Sequence, residues 1–290
     1  MTAPAKPANT IAFQGSPGAY SDLACRTVFP GMRTLPCNDF AESFAAVRDG
    51  RARLGMIPVE NSVAGRVADI YHLLPDSGLH IIGEHFQRVE HHLLAPKGAT
   101  VKGLKTVTSH VHALGQCRNL IRELRVKAVV AADTAGAAAE VARRGDKTVA
   151  AIASSLAGKL YGLKSLRANI EDAEHNTTRF LIMARKMQMP SASKEVITTF
   201  VFRVRNVPAA LYKAMGGFAT NGVNMTKLES YMVGGDFFAT QFYSDIEGHP
   251  EHRSVQLALE ELGFFSTKLE ILGVYPASPF RRHGARGSKG

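Results

Sequence analysis

The alternation of strand-like and helix-like segments in the first two thirds of the chain is the feature that most constrains its fold. Short apolar segments such as Thr10–Phe13, Arg53–Pro58 and Thr148–Ile152 are typical of buried strands. Other segments, such as Phe40–Asp49 and Gly65–Leu74, are typical of helices. Strands that alternate with helices predict an α/β fold with mainly parallel sheets.

This alternation stops at Met187–Lys194, a segment whose Pro, Ser and Lys residues are typical of a linker. The segment Val196–Tyr275 then predicts a strand, a helix, two strands joined by a hairpin turn at Gly234-Gly235, a helix and a last strand. This βαββαβ order is ferredoxin-like. The sequence therefore predicts two domains of different architecture.

Composition argues against a nucleic-acid partner. The chain has 290 residues, of which 45% are hydrophobic and 21% charged, and its net charge is +10. Four of these positive charges lie in the last ten residues, on Arg281, Arg282, Arg286 and Lys289, and the others form no Lys/Arg block. We therefore predict a basic surface with a disordered tail and no nucleic acid as partner.

The sequence also predicts the compartment. It contains no run of about 18 apolar residues, so we expect no membrane partner. The first residues, Met1–Asn9, lack the apolar segment of a targeting signal. The three cysteines, Cys25, Cys37 and Cys117, form no CxxC pair, which argues against a disulfide framework. We expect a cytoplasmic protein.

Polar residues recur where predicted strands give way to helices or loops. They are found in five segments: Gly15-Ser16-Pro17-Gly18, Glu60-Asn61-Ser62, Ser109-His110, Asp133-Thr134, and Asn176-Thr177-Thr178-Arg179. Ligands of α/β folds bind in the crevice at strand ends. Each segment alone also fits a structural role, such as a tight turn, a helix N-cap or a surface arginine. Together they predict a site for a small anionic molecule. No Cys/His/Asp cluster has metal-ligand spacing, so we expect no metal.

In this order, the motifs resemble those of the prephenate dehydratase family. The matching segments are Gly15–Ser21, Pro58–Ser62 with Gly65, Ser109-His110 with Gln116-Cys117, Ala151–Ser154, and Asn176 with Thr178-Arg179-Phe180. The second domain resembles an ACT regulatory domain in Asn206–Leu211 and Asn224–Ser230. The resemblance implies a catalytic domain at residues 10–186, built as two lobes like periplasmic binding proteins, and a ferredoxin-like ACT domain at residues 196–276.

The resemblance also implies a reaction that needs no cofactor. Prephenate loses its ring hydroxyl and ring carboxylate to give phenylpyruvate, water and CO2. By analogy, Thr178 donates to the leaving hydroxyl, Arg179 binds a carboxylate, and Phe180 belongs to the same catalytic motif. The residues implied in substrate binding are Gly18, Ala19, Tyr20, Ser21, Glu60, Asn61, Ser62, Gly65, Ser109, His110, Gln116, Thr134 and Asn176.

The ACT-like domain implies that L-phenylalanine binds there and inhibits by changing how the lobes close. The implied site comprises Asn206, Val207, Pro208, Ala209, Ala210, Leu211, Asn224, Leu228, Glu229 and Ser230. The resemblance further implies a homo-oligomer, a dimer or a tetramer.

Two departures from the family pattern are Val111-His112, where the family has Pro-Gln, and Tyr231-Met232, where it has Arg-Pro. The sequence leaves open two alternatives, an arogenate dehydratase and a ligand-binding protein without catalysis.

Overall fold

The structure is a computed structural model that describes residues 9–233 and 239–284. The hairpin turn predicted at Gly234-Gly235 lies outside the described residues, as do Arg286 and Lys289 of the basic tail and nearly all of the N-terminal segment Met1–Asn9.

Strands and helices are interspersed through residue 184, as predicted, although several strands follow one another directly. The strands are β1 (Thr10–Gln14), β2 (Arg33–Cys37), β3 (Leu54–Asn61), β4 (Gly65–Arg66), β5 (His80–Arg88), β6 (His92–Ala95), β7 (Thr106–Ser109), β8 (Lys127–Val130), β9 (Val149–Ala153), β10 (Lys164–Arg167) and β11 (Thr177–Ala184). The helices are α1 (Tyr20–Val28), α2 (Phe40–Arg48), α3 (Ala68–Leu73), α4 (Val111–Gly115), α5 (Arg118–Leu124), α6 (Thr134–Arg144) and α7 (Ser155–Leu160).

The remaining elements have the predicted βαββαβ order, followed by a short helix. They are β12 (Val196–Val204), α8 (Ala210–Thr220), β13 (Met225–Met232), β14 (Ala239–Glu247), α9 (Arg253–Phe265), β15 (Ser266–Pro276) and α10 (Phe280–Gly284).

The chain forms two compact units. The first comprises the residues up to Val67 and His85–Phe180, and the second comprises Ala68–Glu84 and the residues from Leu181 onward. The boundary therefore differs from the predicted linker, because α3 and the first half of β5 belong to the second unit. Tyr71 of α3 packs against Tyr243 there, with ring centroids 5.1 Å apart. The predicted limits of a catalytic and a regulatory domain remain predictions.

Two sheets build the first unit, and they confirm the predicted two-lobed α/β architecture. The first lobe has the strand order β5-β11-β3-β1-β2, with β4 paired to β3, and the second lobe has the order β10-β6-β9-β7-β8. Strand β1 runs parallel to β2 and β3, and β7 runs parallel to β8 and β9. Strand β6, however, pairs antiparallel with both β9 and β10. The sheet of the second lobe is thus mixed rather than purely parallel.

The second unit contains a four-stranded sheet with the order β13-β14-β12-β15. Strand β12 is antiparallel to both β14 and β15, and β13 is antiparallel to β14, so the strand order and directions are ferredoxin-like. Helices α8 and α9 cover one face of the sheet. A core that includes Phe200, Phe202 and Phe218 lies between the helices and the sheet. In the part of the chain that the structure describes, no helix is long and apolar enough to span a membrane.

Candidate functional site

A cavity of about 310 Å³ lies in the first unit, where elements of both lobes meet. The first lobe contributes the end of β3, the β4 hairpin and the start of β11. The second lobe contributes α4 and the first residue of α6. The lining residues are Tyr20, Asn61, Ala64, Gly65, Arg66, Val67, Val89, His91, His110, His112, Ala113, Gln116, Thr134 and Thr178. Seven of the predicted site residues are therefore brought together: Tyr20, Asn61, Gly65, His110, Gln116, Thr134 and Thr178.

The helix predicted at residues 65–74 is shorter in the structure, because residues 65 and 66 form the β4 hairpin that lines part of the cavity. Gly65 pairs with Asn61, and Arg66 pairs with Glu60, so the chain reverses direction before α3 begins at Ala68. Gly65 has φ +84°, a conformation that favours glycine, and this allows the reversal. The reversal places Arg66 at the cavity.

The side chain of Asn61 is fixed in orientation by backbone groups. Its oxygen accepts hydrogen bonds from the N–H groups of Val63 (3.0 Å) and Ala64 (2.7 Å), which can only donate. Its nitrogen must therefore donate, and it does so to Asn176 Oδ1 (2.8 Å) and Thr178 Oγ1 (3.0 Å). Because the Thr178 oxygen accepts this bond, the Thr178 proton remains available to a ligand.

Further hydrogen bonds extend from Asn176 along the cavity. Asn176, which is 1% exposed, donates from Nδ2 to Gln116 Oε1 (2.9 Å). The same oxygen lies 2.9 Å from His91 Nε2, and His91 Nδ1 lies 2.9 Å from the Tyr20 hydroxyl. Burial lowers the pKa of His91 and raises the pKa of Tyr20, so both are neutral at neutral pH.

Two histidines lie side by side on the second-lobe side of the cavity. The His110 side chain caps α4 by accepting a hydrogen bond from the His112 N–H, and the two rings are 5.0 Å apart. Burial lowers the pKa of His110, and the nearby His112 lowers it further. A bound anion would favour protonation of the His110 ring.

Hydrogen bonds outside the cavity connect the two lobes. Ser16 donates to Asp133 (3.0 Å), Ser154 donates to the carbonyl of Gly18 (2.5 Å), and Tyr161 donates to the carbonyl of Pro17 (2.7 Å). The glycine loop, Gly15–Gly18, therefore connects the first lobe to the second.

Gly18 of this loop and Ala19, which follows it, were implied in substrate binding, but the backbone N–H groups of both residues have partners within the protein. The Gly18 N–H donates to Asp22 (2.8 Å), and the Ala19 N–H donates to the carbonyl of Ser16 (3.0 Å). Ser21, the next predicted residue of α1, is buried and does not line the cavity.

Arg179 and Glu60 form an ion pair away from the cavity lining. Arg179 Nη1 lies 3.0 Å from Glu60 Oε1, and the Arg179 side chain is 3% exposed. The pair neutralises a carboxylate that would otherwise repel an anionic ligand. Phe180, which follows, is a core residue.

Two predicted serines have structural contacts. Ser62 donates to the carbonyl of His175 (2.6 Å) and accepts from the Thr177 N–H (2.9 Å), so it fixes the start of β11. Ser109 donates to the carbonyl of Ile152 (2.6 Å) inside the second sheet.

The sequence interpretation missed three polar cavity residues, Arg66, His91 and His112. Arg66 had no motif of its own, and its place depends on the β4 hairpin. His91 and His92 are neighbours in the sequence, and His91 is the one that lines the cavity. His92 instead contacts Ser165 (2.9 Å) outside it. Only His112 carried a signal, since it departs from the family motif. In the described part of the chain, no group of three or more His, Cys, Asp or Glu residues is placed to hold a metal ion.

The residues predicted to bind phenylalanine lie in the second unit. Asn206, Val207, Pro208 and Ala209 are exposed and precede α8, which begins at Ala210. Leu211 packs against the core. Leu228 and Ser230 are exposed on the edge strand β13, Glu229 pairs with Lys227 (3.1 Å), and Asn224 donates to Glu247 (2.9 Å).

Comparison with known proteins decides the family. The sequence profile of the family described as "Prephenate dehydratase" matches residues 11–188, more than half of the chain. The chain belongs to the prephenate dehydratase family. Membership in this family confirms the predicted resemblance and the predicted class of enzyme, a dehydratase.

Relatives of the dehydratase cover almost its full length. A "Bifunctional N-acyl-homoserine lactone acylase/prephenate dehydratase" of Komagataeibacter europaeus is 58% identical, over 94% of this chain and 97% of that protein. "Arogenate dehydratase/prephenate dehydratase 2, chloroplastic" of Arabidopsis thaliana is 37% identical, over 92% and 72%. The prephenate dehydratase of Arthrobacter aurescens, whose crystal structure is known in complex with L-Phe, is 27% identical in sequence. Its structure matches with a TM-score of 0.85, over 96% of this chain and 97% of that chain.

Proposed function

We propose that this dehydratase acts on prephenate in the cavity around Thr178 and releases phenylpyruvate, water and CO2 as a step of L-phenylalanine biosynthesis. The observation that carries the proposal is the direction of the Asn61–Thr178 hydrogen bond. Asn61 donates to the Thr178 oxygen at 3.0 Å, which leaves the threonine proton for the departing hydroxyl of the substrate.

The chemistry requires little else from the protein. When the ring carboxylate leaves as CO2, its electron pair enters the ring, the C–O bond to the hydroxyl breaks, and the hydroxyl takes up a proton to leave as water. Thr178 supplies the hydrogen bond or proton, and such assistance contributes about 10²- to 10⁴-fold. Formation of the aromatic ring drives the step. The cavity walls hold the substrate so that both bonds can break together.

Arg66 is the best placed partner for a substrate carboxylate. It lines the cavity, and Arg179 does not. His110 adds an imidazole whose protonated form a bound anion would stabilise, and His112 lies beside it. The cationic side of the cavity therefore differs from the clamp expected from the sequence motif.

The lining also favours prephenate over arogenate. Arogenate carries an ammonium group where prephenate has a ketone, and a buried ammonium needs an anionic partner. Among the described residues that line the cavity, none is Asp or Glu. The Gln116 amide and the Thr134 hydroxyl suit a ketone oxygen instead.

Steady-state kinetics with both substrates tests this proposal. We expect kcat/KM to be higher for prephenate by at least about 10-fold, the factor that corresponds to one poorly paired polar group. Phenylpyruvate formation from prephenate and phenylalanine formation from arogenate are measured in parallel. Equal or faster turnover of arogenate would contradict the assignment, and no turnover of either would overturn the proposed function.

We also propose that L-phenylalanine binds the second unit and inhibits. The support is the ferredoxin-like fold of this unit and the structure of the Arthrobacter aurescens relative with L-Phe. An ACT domain at residues 196–276 and a homo-oligomer that pairs through the exposed edge strand β13 belong to the same proposal. A cytoplasmic location fits this biosynthetic step.

Hydrolysis of N-acyl-homoserine lactones is a second candidate activity. It is favoured by the 58% identity to the Komagataeibacter europaeus protein, whose name gives both activities. To test it, a protein preparation that turns over prephenate is incubated with an N-acyl-homoserine lactone, and the released homoserine lactone is measured by mass spectrometry. No release at enzyme concentrations that saturate the dehydratase assay would exclude this activity.

A further inference from the structure

The side-chain oxygen of Gln116 is held by two donors. Asn61 is oriented by backbone N–H groups, so Asn176 must accept from Asn61 at Oδ1 and donate from Nδ2 to Gln116 Oε1. A flipped Gln116 would place its NH2 group against the Asn176 NH2 group, two donors without an acceptor. Gln116 Oε1 is therefore an acceptor, and the atom facing it on His91, Nε2, must carry a proton.

Protonation of His91 does not change this direction. In the neutral ring with its proton on Nε2, Nδ1 accepts from the Tyr20 hydroxyl at 2.9 Å. In the protonated ring, Nδ1 also donates, and the Tyr20 proton turns to the carbonyl of Glu90 at 2.8 Å. The Tyr20 hydroxyl adapts to either state, and Nε2 donates to Gln116 in both. Burial lowers the pKa of His91 and favours the neutral ring.

The consequence for the cavity concerns the other end of the Gln116 amide. The nitrogen Nε2 of Gln116 has no hydrogen-bond partner among the described residues, and Gln116 lines the cavity. With its oxygen held by two donors, the amide has its two N–H groups left for a ligand. An anionic substrate with carboxylate and ketone oxygens requires such donors.

We propose that His91 is a positioning residue, which holds the Gln116 amide so that Gln116 donates to an acceptor oxygen of the substrate. This role rests on the proposed function for the identity of the substrate. His91 does not act on the reacting atoms. It acts through Gln116, and Asn176 supplies the second anchor.

A double-mutant cycle tests the role, with prephenate as the substrate. We expect His91→Met to raise KM by about 3- to 10-fold, the factor for one net hydrogen bond, with kcat close to that of the wild type. In a Gln116→Met background, His91→Met should raise KM no further, because the amide through which it acts is gone. His91→Gln, which can place an N–H near the position of Nε2, should restore most of the affinity.

The neighbouring histidine provides a matched control. His92 contacts Ser165 outside the cavity, so His92→Met should leave KM unchanged. Additive effects of His91→Met and Gln116→Met would overturn the role, as would a His91→Gln variant as impaired as His91→Met.

A spectroscopic measurement is independent of turnover and of the stability of any variant. Nitrogen-15 NMR of the wild-type imidazoles should show His91 with a proton on Nε2 at neutral pH. A neutral His91 ring with its proton on Nδ1 alone would overturn the inference even if prephenate is turned over. If prephenate is not turned over, a proton on Nε2 would still support the hydrogen-bond direction, and only the proposed function would fail.

Discussion

Arg66 and Arg179 show how two arginines near one site take different roles. Arg66 lines the cavity on a two-residue strand, and Arg179 is 3% exposed and paired with Glu60 at 3.0 Å. A guanidinium that is already paired with a carboxylate has less to offer a second one, and separating a buried pair is costly. We propose that Arg66, which lines the cavity, contacts the substrate, because Arg179 lies outside the cavity lining.

Substitution of each arginine should give a different result. Arg66→Met should raise KM for prephenate by roughly 10- to 100-fold, as for a lost hydrogen bond to a charged group. Arg179→Met should lower the free energy of unfolding by about 3 kcal/mol, since Glu60 loses its ion pair. Kinetics and urea unfolding of both variants check this. An Arg179→Met protein of normal stability with a raised KM would instead support the clamp predicted from the sequence.

At this scale, the sequence predicted the residues that motifs carry and missed those that tertiary structure positions. Asn61, Gln116 and Thr178 belong to recognisable segments, and they do line the cavity. Arg66 and His91 also line the cavity but belong to no recognisable motif. The position of Arg66 depends on the β4 hairpin, and that of His91 depends on contacts with side chains more than 20 residues away. The direction of the hydrogen bonds is also beyond a motif, since it depends on two backbone N–H groups after Asn61.

Among the elements, the short helix α10 ties the end of the described chain to the second unit through one arginine. Arg281 binds Glu84 through two hydrogen bonds of 2.7 and 2.8 Å, and its Nη2 lies 3.8 Å from Asp245. Both carboxylates are fully buried. The next residue, Arg282, pairs with Glu195, and both side chains of that pair are 71% exposed.

This contrast predicts unequal effects of two adjacent substitutions. Arg281→Met should lower the free energy of unfolding by about 3 kcal/mol or more, because two buried carboxylates lose a cation. Arg282→Met should cost at most about 1 kcal/mol, as for other surface pairs. Thermal and urea unfolding of the two variants measure the difference. Equal losses would mean that α10 does not depend on the buried pair.

The sequence predicted the long central elements better than the edges of the sheets. Strands β2 and β10 were not predicted, and both lie at the edge of their sheet. Edge strands are short and carry charged or proline residues, here Arg33, Pro36, Lys164 and Arg167, because apolar edges invite aggregation. Each of these two strands is held by hydrogen bonds to one neighbouring strand, and the hydrophobic periodicity of a sequence does not reveal such pairing.

For the whole molecule, the regulatory proposal requires that the second unit acts on the first. Sequence periodicity predicted its βαββαβ order, but not that α3 and half of β5 belong to the same unit, because that depends on contacts such as Tyr71 with Tyr243. An inhibitor that binds one unit and weakens prephenate binding in the other must, by linkage, be bound more weakly by the same factor when prephenate is present.

Calorimetry on the intact protein tests this coupling. Phenylalanine should bind, and saturating prephenate or a non-reacting analogue should weaken its binding by about 5- to 150-fold, the usual range of coupling between sites. Leu228→Glu, on the exposed side of β13, should abolish the binding and leave turnover without phenylalanine unchanged. Wild-type phenylalanine affinity in this variant would show that the site lies elsewhere, and no binding to the intact protein would remove the regulatory proposal.

We propose that the Thr178 hydroxyl donates to the leaving hydroxyl of prephenate. The most direct test is kcat for phenylpyruvate formation by Thr178→Ala beside Thr177→Ala, its neighbour at the start of β11. Thr177 contributes backbone contacts to Ser62 and Asn61 that alanine retains. The account predicts that Thr178→Ala lowers kcat by about 100-fold or more with normal folding, whereas Thr177→Ala stays close to the wild type. Equal kcat values for the two variants would contradict it.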